Sequence, residues 1–291
     1  MRAMNSSKTS AQSSLTFPAT SAARIAELIA RSGNEHAKHI LVEAVAETGS
    51  TNADLMRRVP QLTQPQLRVA DCQTAGRGRA GRPWRTSPES ALTFSLAWRF
   101  AQPLSALMGL PLAVGVSVAE ALKVFGVPVE LKWPNDVLRG GAKLAGILIE
   151  TAADERGHAA DQHAKKGCWA VIGIGINLAA PDGLVQELGR AIGAAPELGG
   201  QSRETVLAVF MSALADTLVL FEEQGFAAFV ERWHAFHSYA GKPVRILDNG
   251  RSVHEGSAVG VDAMGRFLMD TAQGRVAVLA GDLSLRLQEP V

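Results

Sequence analysis

The sequence predicts an α+β fold: a mixed sheet covered by helices, with a small β-barrel appended at its C-terminal end. Three observations carry this. Between residues 39 and 177, short alternating β-rich runs are interleaved with helical patterns. Residues 203–221 then place Val206, Phe210, Leu214, Leu218 and Phe221 at helical spacing behind Ser202 as a cap, a stripe suited to covering a sheet. From Lys242 the texture changes to short alternating runs separated by Gly-, Asn- and Asp-bearing turns, as in a small barrel.

Taken in order, residues 1–38 form a leader rich in Ser, Thr and Ala with one short helix over 22–32, where Ile25, Leu28 and Ile29 share a stripe. A strand over 39–47 ends in Glu47-Thr48-Gly49-Ser50-Thr51-Asn52, and a brief helix follows at 53–58. Ser, Thr and Asn are preferred helix caps, so this cluster reads both as a cap and as hydroxyl and amide groups able to bond a polar ligand; the two roles are compatible. Strands at 67–72 and 91–98 flank a Gly/Arg-rich stretch. Residues 104–125 give a long apolar helix whose Gly109, Pro111 and Gly115 imply a distorted or late start. A strand at 129–132 runs into the tight turn Lys132-Trp133-Pro134-Asn135-Asp136, and 137–139 pairs with 143–151 across Gly140-Gly141.

Residues 152–167 are a polar surface excursion, whose His158 and His163 lack metal-ligand spacing. The strand at 168–176 sets Gly173 and Gly175 on one face, a bare surface that a ligand or another backbone could approach, with Asn177 at its end on that side. A second short helix is expected at 225–234, and barrel strands at 244–247, 251–259, 266–269, 275–278 and 283–287.

A chain of 291 residues holds one large domain, or one plus a small partner. Its 29 basic and 28 acidic side chains leave a net charge of +1, which argues against a protein whose main task is coating nucleic acid. Cys72 and Cys168 are too few for a disulfide framework and read as thiols in a reducing, cytoplasmic setting. No stretch reaches the ~18 uninterrupted apolar residues of a membrane-spanning helix, and no membrane association is expected.

The charge is local. From Gln73 to Trp84 the chain carries Gly76, Arg77, Gly78, Arg79, Gly81 and Arg82, and no acidic residue lies between Cys72 and Pro88. Such a loop is suited to holding an anion. Its glycines satisfy the G-x-G-x-x-G dinucleotide pattern, but that pattern needs a helix after the loop, and here a strand follows. Lys132 and Asp136 would need a partner or a ligand if their turn is covered. Lys143 stands alone at the mouth of an apolar strand, where a lysine ordinarily snorkels to solvent. Together, arginines able to hold phosphates and lysines able to offset charge during transfer suggest group-transfer chemistry.

The loop Gly76-Arg77-Gly78-Arg79-Ala80-Gly81-Arg82-Pro83-Trp84, the turn Lys132 to Asp136, the run Lys143 to Glu150 and Gly173-Ile174-Gly175-Ile176-Asn177 closely resemble biotin protein ligases. The resemblance extends from about Glu47 to the C-terminus. It implies a catalytic domain of the class II synthetase and lipoate-ligase type over residues 39–238 and an SH3-like domain over 239–291. It also implies two steps: biotin and ATP, with Mg2+, give biotinyl-5'-AMP, and the acyl group then passes to a lysine of a biotin carboxyl carrier protein.

By matching positions, the resemblance assigns Ser50, Thr51, Asn52, Gln73, Gly76, Arg77, Gly146 and Gly173 to biotin. It assigns Arg79, Arg82, Trp84, Lys132, Asn135, Asp136 and Asn177 to the nucleotide, and Lys143 to both. Lys143 and Arg79 are the expected catalytic residues, and Asp136 is a candidate for placing Mg2+.

Ala80 departs from the family pattern, where many relatives carry another arginine. Bifunctional relatives also carry an N-terminal DNA-binding domain on the order of sixty residues or more, whereas residues 1–38 hold one helix; no DNA binding is expected. Relatives of this architecture often form homodimers. Two other readings compete: lipoate or octanoate ligation on the same scaffold, and a nucleic-acid-binding module using the Arg/Gly loop. Against the latter, the loop is a single copy with only Trp84 available for stacking.

Overall fold

The computed structural model describes residues 20–85, 90–154, 167–179 and 191–288 of the chain. Most of the leader, residues 86–89, 180–190 and 289–291, and residues 155–166 of the excursion expected at 152–167 lie outside the described residues. Strands β1 (Leu41–Thr48), β2 (Gln66–Gln73), β3 (Ala91–Phe100), β4 (Glu130–Lys132), β5 (Asp136–Arg139), β6 (Ala142–Ala153) and β7 (Cys168–Asn177) form a seven-stranded sheet in the order β1-β2-β3-β7-β6-β5-β4. β1 and β2 are parallel, and the other neighbours are antiparallel. The parallel pair needs a crossover, which helix α2 (Thr51–Arg58) supplies.

Period-two alternation divides the central strands between two environments. Leu92, Phe94, Leu96, Trp98 and Phe100 of β3, with Ile172, Ile174 and Ile176 of β7, enter a large core shared with α1 (Ala22–Arg31), α3 (Leu110–Val124) and α4 (Arg203–Gln224). There Phe94 meets Phe210 edge to face at 6.0 Å. Burying side chains of this size contributes roughly 2 kcal/mol each. On the other face, Ala97, Trp169 and Val171 join Leu55 and Val59 of α2 in a smaller cluster. Gly173 and Gly175 continue that second face, and the site described below is built on it.

Among the described residues, the helical stretch Arg203–Ala235 is long and apolar enough to cross a membrane. Its Val206, Phe210, Leu214, Leu218 and Phe221 are buried in the core, which accounts for the composition. The expected helix at 104–125 is a 3-10 turn, Leu104–Leu107, followed by α3 proper. Gly109 makes the break with φ +83°, and a Cβ there would stand 2.6 Å from Phe226 Cβ, so both conformation and space require glycine. The second short helix likewise begins as a 3-10 segment, Gly225–Phe229, before α5 (Val230–Ala235).

Five C-terminal strands, β8 (Pro243–Asp248), β9 (Arg251–Val261), β10 (Phe267–Thr271), β11 (Gly274–Val278) and β12 (Ser284–Leu287), form an antiparallel sheet in the order β11-β10-β9-β8-β12. Trp133 fastens it to the first sheet, lying 5.4 Å from the Phe267 ring and donating Nε1 to Gly265 O at 3.3 Å. His237 sits between Trp233 and Phe267, where burial, reinforced by His234 and Lys242, pushes its imidazole down to about 4. It is therefore neutral at physiological pH, as an apolar junction favours.

Candidate active site

Two contiguous clefts open on the second face of the large sheet, sharing Gly78, Arg79, Trp84, Asn135 and Lys143 as a common wall. The floor of the first cleft is a network of neutral side chains. Ser50 caps α2, its Oγ accepting from Ala53 N at 3.4 Å. The next two residues then face the sheet. Thr51 N donates to Gln73 Oε1 at 2.8 Å, Thr51 Oγ1 lies 2.7 Å from Ser95 Oγ, and Ser95 Oγ donates to Asn52 Oδ1 at 2.6 Å. Asn52 Nδ2 donates to Leu148 O at 3.2 Å and to Glu150 Oε2 at 3.0 Å.

The glycines lie on one face as expected, but that face is not bare: the protein's own side chains pack against it. A Cβ at Gly173 would stand 2.3 Å from Asn52 Oδ1, and one at Gly175 would stand 2.4 Å from Trp84 Cε2. Gly146, opposite Gly175 in the β6–β7 register, lies under the same indole and under Lys143.

The arginine-rich loop is a short hairpin. Trp84 N donates to Gly76 O at 2.8 Å, Gly78 N donates to Arg82 O at 2.7 Å, and Arg77 faces Pro83. At its tip Ala80 and Gly81 both take left-handed conformations, φ +53° and +68°. Gly76 lines neither cleft. A Cβ there would strike Trp84 O at 2.4 Å, so this glycine closes the hairpin. Arg77 bonds Glu150 Oε2 at 2.8 Å on one side of the loop. On the other side Arg79 donates to Asn135 Oδ1 at 3.0 Å and to Gly281 O, while Arg82 is exposed at the rim of the second cleft.

The second cleft is dominated by charge. Lys132 and Asp136 face each other across the β4–β5 hairpin, and Lys132 Nζ donates to Asp136 Oδ2 at 3.1 Å. Lys143 Nζ donates to Asp136 Oδ1 at 2.5 Å and stands 5.6 Å above the Trp84 ring. A bulge puts Lys143 there. Register slips from Val137↔Ala145 to Leu138↔Lys143, leaving Leu144 unopposed, so Lys143 joins the face of Gly146 despite its odd spacing. Burial alone would raise the Asp136 carboxyl, but the Lys143 and Lys132 ammonium groups outweigh it and hold the carboxyl at about 2. Burial lowers both the Lys132 ammonium and the Arg79 guanidinium, opposed in each case by Asp136. Strand β12 of the C-terminal sheet and the loop before that strand complete the wall with Asp282, Ser284 and Arg286.

Asn177 lines neither cleft; its Nδ2 donates to Lys143 O at 3.3 Å and Gly193 O at 3.1 Å, supporting the strand that carries Lys143. Asp136 does not fit a resident Mg2+, since each carboxylate oxygen already accepts from a lysine and no group of three His, Cys, Asp or Glu side chains gathers among the described residues. Sequence reasoning missed Ser95, Glu150, Asp282, Ser284 and Arg286. Strand alternation is the only signal that could have placed the first two on the cleft face, and nothing local marks the others.

Residues 43–161 match the Biotin/lipoate A/B protein ligase family, and residues 239–286 match the Biotin protein ligase C terminal domain. The chain is 33% identical over 242 residues to the Bifunctional ligase/repressor BirA of Escherichia coli, covering 82% of this chain and 72% of that protein. It is 32% identical over 252 residues to the Biotin--[acetyl-CoA-carboxylase] ligase of Paracoccus denitrificans, covering 82% and 98%. The solved structure of the biotin protein ligase from Aquifex aeolicus in complex with biotin and ATP aligns with a TM-score of 0.68 at 30% identity, over 85% of this chain and 99% of that one. Two adjoining clefts, a hairpin of arginines over them and these likenesses along most of its length lead to one conclusion: the chain belongs to the biotin protein ligase family.

Proposed function

We propose that the protein activates biotin with ATP, forming biotinyl-5'-AMP and pyrophosphate, and transfers the biotinyl group to a lysine of a biotin carboxyl carrier protein. The observation that carries this is the meeting of a mainly neutral, hydrogen-bonding cleft and a cationic cleft at Lys143. Residues 39–238 act as the catalytic unit, and residues 239–291 complete the nucleotide side. Ser50, Thr51, Gln73, Gly146 and Gly173 surround biotin, with Asn52, Gly76 and Arg77 supporting that side. Arg79, Arg82, Trp84, Lys132, Asn135 and Asp136 serve ATP, with Asn177 beneath Lys143.

In the first step the biotin carboxylate attacks the α-phosphorus, anion against anion. Lys143 and Arg79, fixed between the clefts, lower that repulsion and align the attack. Mg2+ arrives with the ATP phosphates. In the second step the acceptor amine attacks the acyl carbon, the C–N bond forms, and AMP leaves with the former carboxylate oxygen–phosphorus bond intact. The cationic field favours the neutral form of the incoming amine. Closure of the arginine hairpin keeps water from the adenylate.

A cytoplasmic setting, suggested by the two free thiols, belongs to this proposal, as do homodimer formation and the absence of DNA binding. Ligation of lipoate or octanoate is the second reading, because the N-terminal match spans biotin and lipoate ligases; the match at 239–286 favours biotin. Incubation with Mg-ATP and either biotin or lipoate, followed by mass spectrometry, decides between them. Biotinyl-adenylate is the expected product, and its failure to form overturns the proposal.

A further inference from the structure

We propose that Glu150 is a positioning residue that ties the arginine hairpin to the biotin side of the cleft, so that retention of the adenylate depends on the pocket floor being correctly formed. This rests on the ligase reading above. Alternation along β6 sends Ala145 and Ile147 into the core and turns Gly146, Leu148 and Glu150 towards the cleft side. Glu150 ends this run as its one acid.

Its Oε2 accepts from two donors belonging to separate elements: Arg77 Nη2 of the hairpin at 2.8 Å and Asn52 Nδ2 of α2 at 3.0 Å. A single oxygen therefore joins the Gly/Arg hairpin to the floor of the pocket.

The second donor is not free to turn elsewhere. An asparagine amide offers two N–H donors and one carbonyl oxygen. In Asn52 the donors go to Leu148 O and Glu150 Oε2, and the oxygen accepts from Ser95. Asn52 is thus a relay whose orientation is set by Ser95, Thr51 and Gln73, and it orients Glu150 in turn. On its other flank the hairpin is held by Arg79, through Asn135 and Gly281. The two arginines hold opposite sides of one loop. Side-chain exposures of 44% for Arg77 and 27% for Glu150 mean that the ion pair alone would hold the loop weakly, which is why the shared bond to Asn52 matters.

The test measures escape of preformed biotinyl-adenylate from the full chain after a chase, together with single-turnover adenylation and KM for ATP. Glu150→Ala is expected to speed escape about fivefold, with KM for ATP unchanged; Glu150→Gln, which keeps an acceptor for Asn52 but loses the charge, should have a smaller effect. In a cycle with Arg77→Ala the two effects should be less than additive, because both remove the same link. A general loss of packing would instead lower the melting temperature and slow both steps alike. If Glu150→Ala does not fold, Glu150→Gln and Arg77→Ala carry the same comparison. Unchanged escape in variants with wild-type melting, or full additivity in the cycle, overturns the role of Glu150. Absence of any adenylate from the wild-type protein would strike at the ligase reading itself, so the two failures are distinct.

Discussion

In the first cleft, Thr51, Asn52, Gln73 and Ser95 satisfy one another's hydrogen bonds. In the second cleft Lys132, Lys143, Arg79, Arg82 and Arg286 line the wall with two carboxylates among the described residues, Asp136 and Asp282. The first arrangement is short-ranged and directional, so it can discriminate shape and donor pattern but adds little attraction at a distance. The second leaves cationic charge unbalanced, waiting for an anion, and its reach is set by screening. Lys143 belongs to both, held by Asp136 below and by the Trp84 ring beside it. The contrast teaches that two different kinds of interaction are set side by side and joined at one ammonium group; under the proposed function they divide recognition from activation.

The largest effect should come from removing that junction. Lys143→Ala is expected to lower kcat for adenylate formation about 100- to 1000-fold while leaving biotin affinity nearly unchanged. A rapid-quench assay beside calorimetric titration checks this; a defect confined to KM would mean that Lys143 belongs to the biotin side alone.

Next in size is Gly173→Ala. The added carbon must displace Asn52 Oδ1 from 2.3 Å, disturbing the neutral network around Asn52 rather than the Lys132–Asp136–Lys143 cluster. KM for biotin should rise about tenfold or more, with KM for ATP close to wild type. Equal rises in both constants would show that the two sides are not separable.

Asp136 offers a test by pH. Its carboxyl is depressed from 3.8 to about 2, so its contribution to stability is complete above pH 3.8 and is lost as pH falls towards 2. That contribution is about 2 kcal/mol, read as the difference between wild type and Asp136→Asn in urea unfolding at pH 5 and at pH 2. Parallel acid profiles for the two proteins would remove Asp136 from this role. The smallest effect is expected for Arg286→Ala, a severalfold increase in KM for ATP that shrinks as salt is added, with biotin binding unaltered. Salt independence would place Arg286 outside the nucleotide field.

Much of the fold was legible because period-two and helical patterns are local. The β3 run from Ala91 to Phe100 and the α4 stripe from Val206 to Phe221 declare their buried faces in their own spacing. The same holds for the arginine hairpin, the Lys132–Asp136 turn and the glycines of β7, where a contiguous segment carries the chemistry. The start of α3 was legible only as a distortion, because its position depends on Phe226 filling the space beside Gly109. Lys143 illustrates the limit. Its residue type suggested a snorkelling surface lysine and the family resemblance an active-site one; the bulge at Leu144 is what turns it onto the cleft face beside Asp136.

The family resemblance, the order of strands and helices and a cationic, glycine-rich loop are all readable in the linear chain. These follow from residue types at short spacing, which the chain displays before it folds. Only the assembled fold shows that Glu150 links Arg77 to Asn52, that Asn177 supports the backbone of Lys143, and that Arg286 reaches the charged cleft from the C-terminal sheet. Each depends on register and on packing between segments far apart in the chain, so no local pattern carries it. A hydrogen bond requires donor and acceptor within about 3 Å, and only the assembled sheets set distances that finely.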